Sequence, residues 1–303
     1  MTIGSIALPR IVRSQTLTTI KFGGSPFGET YYLPYFANDQ GFFAKYGLQI
    51  EFANFTGAGL IIQAALANAI DVGQCDVLGA ANAYLRGFPL AYFSGGGIYD
   101  TNNPTTMLCT LPDSPIRTAK DLEGQAVGVP VLASISGLGV KAWITANGAD
   151  LAKVKLFELT YSSMVPAMQR KDLAAGLFGE PNLAQVRLNN SVRVLAKPYD
   201  TVAKRFFVSA TFASRPWLAA NPDVARRLAR ALDEAARWAN AHHAESAPTV
   251  SKGTGIPLET VQAMTRASFA PLDARFVQPV IDAALKYGQI QKPVRPDEII
   301  AKI

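Results

Sequence analysis

The chain has 303 residues, of which 49% are hydrophobic and 17% are charged, and its formal net charge at pH 7 is +6. This composition excludes a disordered chain and provides enough apolar surface for two domains or one large domain. The basic residues are scattered, and the densest group alternates with acidic residues, as on a solvated helix face, so we expect no nucleic-acid partner. That group is Arg226, Arg227, Arg230 and Arg237 with Asp223, Asp233 and Glu234.

The two cysteines, Cys75 and Cys109, lie in apolar segments and form no Cys-x-x-Cys pair. We predict buried thiols, and the sequence leaves open whether they are bonded to each other. No cluster has the spacing of metal ligands, so we expect no metal and no other cofactor. No segment approaches the roughly 20 apolar residues of a membrane span. Residues 1–16 lack the apolar core of a signal peptide and are predicted to be an N-terminal extension, which leaves open whether a leader was removed.

Segments with β-type composition alternate with segments of helical period along the chain. The alternation predicts an α/β fold with mainly parallel sheets and right-handed crossovers. The predicted strands are 17–22, 48–52, 75–79, 90–93, 105–111, 126–131, 154–159, 174–178, 192–195 and 206–213. The predicted helices are 31–38, 60–70, 80–86, 138–147, 164–170, 183–188, 222–238, 257–267 and 273–287.

The middle third of the chain forms an α/β unit of its own between two β-type runs. A chain that enters a second lobe and returns crosses a hinge twice, and such an architecture leaves a cleft between the lobes. A cleft of this kind is the default ligand site. The predicted units are an N-terminal extension at 1–16, a first lobe at 17–109 and 212–303, a second lobe at 110–211, and hinges near 110–112 and 209–211.

A short turn at 134–137 follows the predicted strand at 126–131 and precedes a helix. It contains Ser134, Ser136 and Gly137. The first N–H groups of a helix have no intrahelical partner, and the helix dipole adds partial positive charge, so this turn predicts a receptor for a negatively charged group. The alternative, that a serine of this turn only caps the helix, stays open.

Six segments occur in an order that resembles one protein family over roughly residues 18–290. They are Phe36–Leu48 (FANDQGFFAKYGL), Ala65–Asn68 with Asp71 and Asp76, Gly87–Leu90, Ile116–Val129, Gly179–Pro181, and Phe212–Ala213 with Asn221–Pro222. They resemble the solute-binding proteins of ABC importers in the nitrate, sulfonate and taurine group, which is similar in fold to the thiamine-precursor-binding proteins. The resemblance implies a two-lobed type II periplasmic-binding-protein fold and a ligand held between the lobes. It also implies a membrane permease as partner and a periplasmic location, and we expect a monomer.

The ligand-facing loops should follow the carboxyl ends of the strands. We predict ligand contacts in these loops from Ser25, Phe27, Tyr31, Tyr32, Asn54, Asn82, Ser134, Ser136, Gly137 and Glu180. Alternatives stay open for several of them, because a tyrosine can pack in the core, an asparagine can cap a helix, and a buried carboxylate can bond to its own loop.

Aromatic residues are concentrated near the loops of the first lobe, which favours a small organic solute with an apolar, aromatic or heterocyclic part. The helix start at 134–137 makes an anionic solute the expectation. No arginine lies clearly in a ligand loop, which weakens a strict sulfonate or nitrate interpretation. We predict solute binding without catalysis. The alternative is an enzyme of the same fold acting on a small sulfur- or nitrogen-containing molecule, for which Cys75 is the candidate nucleophile although it lacks a basic neighbour in sequence.

Overall fold

The computed structural model describes residues 17–303, so the predicted extension at 1–16 lies outside the described residues. The strands are β1 (Thr18–Gly24), β2 (Leu48–Asn54), β3 (Val72–Cys75), β4 (Leu90–Ser94), β5 (Gly96–Asp100), β6 (Thr106–Thr110), β7 (Ala126–Val129), β8 (Lys155–Glu158), β9 (Ala175–Gly179), β10 (Arg193–Ala196), β11 (Arg205–Phe207), β12 (Ala210–Ser214) and β13 (Ser268–Ala270). The helices are α1 (Leu33–Asp39), α2 (Phe42–Lys45), α3 (Ala58–Leu66), α4 (Val77–Leu85), α5 (Ile135–Ala146), α6 (Tyr161–Gln169), α7 (Asn182–Leu188), α8 (Arg215–Ala220), α9 (Pro222–Ala241), α10 (His243–Thr254), α11 (Leu258–Ala263), α12 (Ala274–Lys286) and α13 (Pro296–Ile299).

Two five-stranded sheets form the body of the molecule, with strand orders β2-β1-β3-β12-β4 and β10-β6-β9-β7-β8. In the first sheet β1 pairs parallel with β2 and β3, and β12 pairs antiparallel with β3 and β4. In the second sheet β7 pairs parallel with β8 and β9, and β6 pairs antiparallel with β9 and β10. Each sheet therefore has a single strand that opposes the others, and the predicted α/β fold with mainly parallel sheets is confirmed.

A third, three-stranded sheet with the order β11-β5-β13 accompanies both passages of the chain between the two large sheets. β5 follows β4 and leads to β6, whereas β11 precedes β12. The predicted lobe boundaries at 109/110 and 211/212 fall inside strands, because β6 pairs within the second sheet and β12 within the first. The division into lobes and the position of the hinges stay predictions.

Three predicted elements are wrong in detail. The predicted strand at 75–79 ends at Cys75, because the Asp76 side chain accepts from the N–H groups of two following residues and starts α4. The predicted run 206–213 is two strands, since the intervening N–H groups of Val208 and Ser209 both bond to the Gly97 carbonyl. The predicted helix at 257–267 ends at Ala263, and the chain then pairs with β5 as β13.

The first sheet packs on α9 and α1 through an aromatic and aliphatic core. α9 buries one alanine- and leucine-rich face, as expected of a long amphipathic helix. Phe36 of α1 is buried and its ring lies edge-on to Trp238 of α9 and to Phe269 of β13, with centroids 6.4 and 5.8 Å away. This packing fixes the helix that follows the loop at 25–31, which forms part of the cleft described below.

A buried ion pair holds the same loop from behind. Nε of Arg266 lies 2.7 Å from Oε1 of Glu29, and the Ala267 N–H donates to Oε2 at 2.6 Å. Arg266 also donates to Oγ of Ser246 at 2.8 Å. Burial raises the pKa of Glu29, and the charge of Arg266 opposes this rise. Since both side chains are buried, each depends on the other for its charge compensation.

We expect Arg266→Met to lower the free energy of unfolding by about 3–5 kcal/mol, because the substitution leaves the Glu29 carboxylate buried without its partner. The matched control is Arg275→Met, which removes an exposed arginine that pairs with Asp273 and should change stability by about 1 kcal/mol or less. Urea unfolding of both variants measures the difference. Equal effects of the two substitutions would contradict the stabilising role of the buried pair.

Candidate functional site

A cavity of ≈ 590 Å³ lies between the two five-stranded sheets. Its lining includes the residues that directly follow the carboxyl ends of β1, β2 and β3 in the first sheet and of β7, β8 and β9 in the second. Three parallel strand ends from each sheet thus converge on one space, which is where open α/β sheets bind ligands. Six of the ten predicted site residues line it: Ser25, Phe27, Tyr31, Ser134, Ser136 and Glu180.

The other four predicted site residues lie outside this lining. Tyr32 is in the core and its hydroxyl donates to the Pro26 carbonyl at 2.9 Å. Asn54 accepts from a tyrosine hydroxyl at 2.6 Å, and Asn82 lines an adjoining cavity of ≈ 960 Å³. Gly137 is buried at the start of α5. Direct ligand contact by each of the ten stays a prediction.

The serine turn at the start of α5 satisfies part of its own hydrogen-bonding capacity. Ser134 caps the helix by accepting from the Ser136 N–H at 3.2 Å, and both hydroxyl oxygens lie close to the Val131 carbonyl, at 2.9 and 3.1 Å. The Gly137 N–H donates to the same carbonyl. Glycine is needed at 137 because a Cβ there would collide with the Leu132 carbonyl oxygen. Two of the first helical N–H groups are therefore already bound within the protein.

Asp76, like Glu29, lines the cavity and was not among the predicted site residues. Its Oδ1 accepts from the N–H groups of Leu78 and Gly79, both at 3.1 Å, at the start of α4. Burial raises the pKa of Asp76 to about 6, and nearby N–H groups oppose the rise, including that of Ile135 from the opposite wall. The carboxylate thus faces the N-termini of α4 and α5. An Asp just before a helix is a capping signal. It was missed here because the mainly apolar run at 75–79 predicts a strand.

Glu180 follows β9 and is buried in the second wall. Its Oε2 accepts from the Ala184 N–H at 2.9 Å, and its carbonyl accepts from the Glu29 N–H at 3.3 Å across the cleft. Burial raises the pKa of Glu180 to about 7; the charge of Arg187 opposes the rise and that of Glu29 adds to it. Glu180 therefore combines a hydrogen bond to its own helix with a place on the cavity wall.

Neutral groups complete the lining. Gln74 and Thr105 were not predicted, and each is buried with a side-chain oxygen that has no hydrogen-bond partner within residues 17–303. Three tyrosines contribute aromatic rings to the lining: Tyr31, Tyr161 and Tyr199. Burial raises the pKa of each hydroxyl, so that these side chains stay uncharged. The signal that could have found Gln74 is its position as a lone polar side chain inside a buried strand.

Cys75 also lines the cavity, with its sulfur 3.4 Å from the hydroxyl oxygen of Tyr92. Burial raises the pKa of the Cys75 thiol far above its ordinary value, and the nearby charge of Asp76 adds to the rise. Both cysteines are buried and free, so they form no disulfide with each other. A thiol in this setting is a poor nucleophile.

In the part of the chain that the structure describes, no group of three or more His, Cys, Asp or Glu side chains could hold a metal ion. A search of the same residues finds no helix with the length and hydropathy to cross a membrane.

The sequence matches the NMT1/THI5-like family over residues 30–246. The chain belongs to this family. Among curated relatives, this family member is 24% identical over 217 residues to a Brucella abortus protein whose name describes it as a candidate binding protein. That match covers 71% of the chain and 65% of the relative, so the chain spans less than two thirds of the length of the curated relatives it matches.

Solved structures share the fold of this family member over nearly its whole length. The alkanesulfonate-binding protein SsuA of Xanthomonas axonopodis superposes with a TM-score of 0.76 at 17% identity, covering 94% of this chain and 98% of that one. The nitrate-binding protein NrtA of Synechocystis gives 0.77 at 15% identity, with 93% and 84% covered. The desulfurization enzyme DSZB gives 0.70 at 15% identity, with 94% and 96% covered. The predicted periplasmic-binding-protein fold is confirmed.

We expect Glu180→Gln to stabilise the protein at high pH. The raised pKa of Glu180 means that the folded state holds this proton between about pH 4.5 and 7, where the unfolded chain loses it. Stability contributed by the protonated carboxyl is therefore present at low pH and is lost as the pH rises through 7. Glutamine cannot ionise, so at pH 8 the free energy of unfolding of the variant should exceed that of the parent protein by up to about 3 kcal/mol.

Denaturant unfolding between pH 4 and 8 measures the difference in the free energy of unfolding between the variant and the parent. This difference should disappear as the pH falls toward 4. The matched control is Glu259→Gln at an exposed position, which removes the same charge without affecting a buried carboxyl. A constant difference between Glu180→Gln and the parent at every pH would contradict the raised pKa of the buried carboxyl.

Proposed function

We propose that this protein is the substrate-binding component of an ABC importer and captures a small organic solute between its two lobes. The observation that carries the proposal is the cavity at the converging strand ends of both sheets. Its volume of ≈ 590 Å³ lies in the range of small-molecule sites, and its lining mixes aromatic walls with a few polar groups. The structural neighbours named for alkanesulfonate and nitrate binding support the same assignment.

Capture works by closure of the cleft. The two walls already contact each other, since the Glu29 N–H donates to the Glu180 carbonyl at 3.3 Å and the Gln289 amide donates to the Leu132 carbonyl at 2.9 Å. A solute that touches both walls binds the closed form better and shifts the equilibrium toward it. The hinges for this motion belong to the two passages between the large sheets.

We further propose that a membrane permease receives the closed form and that the protein is a periplasmic monomer. We propose that it binds its solute without catalysing a reaction. The enzyme alternative would need a reactive Cys75, whereas the described surroundings of this thiol offer an acidic neighbour and a phenol. The aromatic walls support a solute with an apolar or planar part. The predicted role of the serine turn as an anion receptor has less support, because that turn bonds largely to itself.

A tryptophan at position 162 should block capture. Ser162 is exposed at the rim of the cavity and lines it, so a large ring there occupies the space of the solute. Ser163→Trp is the matched control. Ser163 is exposed and adjacent to Ser162 in sequence, but it does not line the cavity. The parent protein and the control should be stabilised thermally by the same member of a panel of aromatic sulfonates, carboxylates and amines, and Ser162→Trp should not.

Small-angle X-ray scattering then tests closure. The stabilising solute should reduce the radius of gyration of the parent protein and of Ser163→Trp and leave that of Ser162→Trp unchanged. Binding without compaction in the parent, or unimpaired binding by Ser162→Trp, would contradict capture in this cleft.

A further inference from the structure

The charged side chains that line the cavity have one sign. They are Glu29, Asp76 and Glu180, and within residues 17–303 no lysine, arginine or histidine joins them. Glu29 is compensated by its buried bond to Arg266, which lies behind the wall. Asp76 and Glu180 have no such partner in the lining. The adjoining cavity, which shares Asp76, is lined by one arginine, Arg86, and by a second carboxylate, Glu158.

A hydrogen-bond acceptor without a donor points to the same kind of ligand. Gln74 is fully buried; its amide nitrogen donates to Oγ of Ser209 at 3.4 Å, whereas its carbonyl oxygen has no partner in the described structure. The hydroxyl of Thr105 is also buried and unpartnered, and it can either donate or accept. An amide carbonyl oxygen can only accept, so the group that satisfies Gln74 must bring an N–H or O–H of its own. Both residues line the cavity.

The position of the Asp76 carboxylate also disfavours the binding of an anionic solute. The start of α5 is the place where a negative group would be expected, and the Asp76 carboxylate already faces it, with the Ile135 N–H lowering its pKa. Oδ1 of this carboxylate accepts from two N–H groups at the start of α4, and the Ile135 N–H faces the carboxylate from the start of α5. An anionic solute would have to share this space with a carboxylate, whereas a cation would pair with it.

We infer that the solute of this cleft is a small organic cation, an aromatic or apolar body that carries a protonated amine or amidine, with its N–H groups bound by Asp76 and the Gln74 carbonyl. The inference rests on the proposed function and names the chemical class of its ligand. It replaces the expectation of an anionic solute that the helix start had suggested. The phenol walls suit such a ligand, because aromatic rings attract cations as well as planar groups.

A panel of ligands with one ring and different charges tests the inference on the full chain. The cations are benzylamine and benzamidine, the anions are benzoate and benzenesulfonate, and benzyl alcohol is the neutral reference. We expect the cations to raise the melting temperature and to bind in isothermal titration calorimetry, and the anions to do neither. Asp76→Asn should weaken binding of the cations about tenfold or more, because a charge-assisted hydrogen bond is lost.

Asparagine caps a helix as well as aspartate does, so Asp76→Asn keeps the start of α4. Asp113→Asn, at an exposed position away from the cleft, is the matched control and should bind the cations as the parent does. The preference of the unmutated protein for cations over anions is an independent readout that needs no variant.

Three results would overturn the inference: tighter binding of an anion than of its matched cation, equal binding of the cations by Asp76→Asn and the parent, or no binding of either cation at millimolar concentration. The first result, if accompanied by compaction in solution, would leave solute capture intact and remove only the charge class. Absence of compaction with every stabilising solute would instead contradict the proposed function.

Discussion

The structure of the cleft depends on one buried carboxylate that lies between two helix N-termini. Asp76 caps α4, which follows a strand of the first sheet. Its carboxylate also faces the first N–H group of α5, which follows a strand of the second sheet. Burying a charge in a protein is costly unless N–H groups or an opposite charge compensate it. Here the compensation comes from N–H groups of both walls. Every other polar group of the lining is neutral, satisfied within its own wall, or left without a partner.

Much of the architecture follows from patterns that the sequence displays openly. Alternating β-type and helical segments predict two mainly parallel sheets, and the rule that ligands bind at the carboxyl ends of strands selects most of the loops that line the cavity. The errors lie where tertiary contacts override local composition. The run at 206–213 reads as one strand, but bonds from its middle to Gly97 bend it. Tyr32 reads as a cleft residue, yet packs inward, since the 3₁₀ turn at Glu29–Tyr31 sets its direction.

The chemistry of the site was harder to predict than its position. Asp76 is flanked by apolar residues that read as a strand, so its role as a cap is visible only when β3 is seen to end at Cys75. The serine turn was recognised, but sequence alone cannot show that its hydroxyls bond to Val131. Neighbours named for sulfonate and nitrate binding share this fold at 19% identity or less, and a fold does not determine its ligand. The charge of the lining is therefore the better guide to the solute.

The measurement that tests this account most directly is the titration of the Asp76 carboxyl by ¹³C NMR, assigned with Asp76→Asn. The account predicts a pKa of about 6 for the protein without solute. Saturating benzylamine should lower this pKa, because a cation beside the carboxylate favours its ionised form. A pKa that is at the ordinary value of 3.8 without solute, or that rises or stays unchanged when benzylamine is bound, would contradict the account.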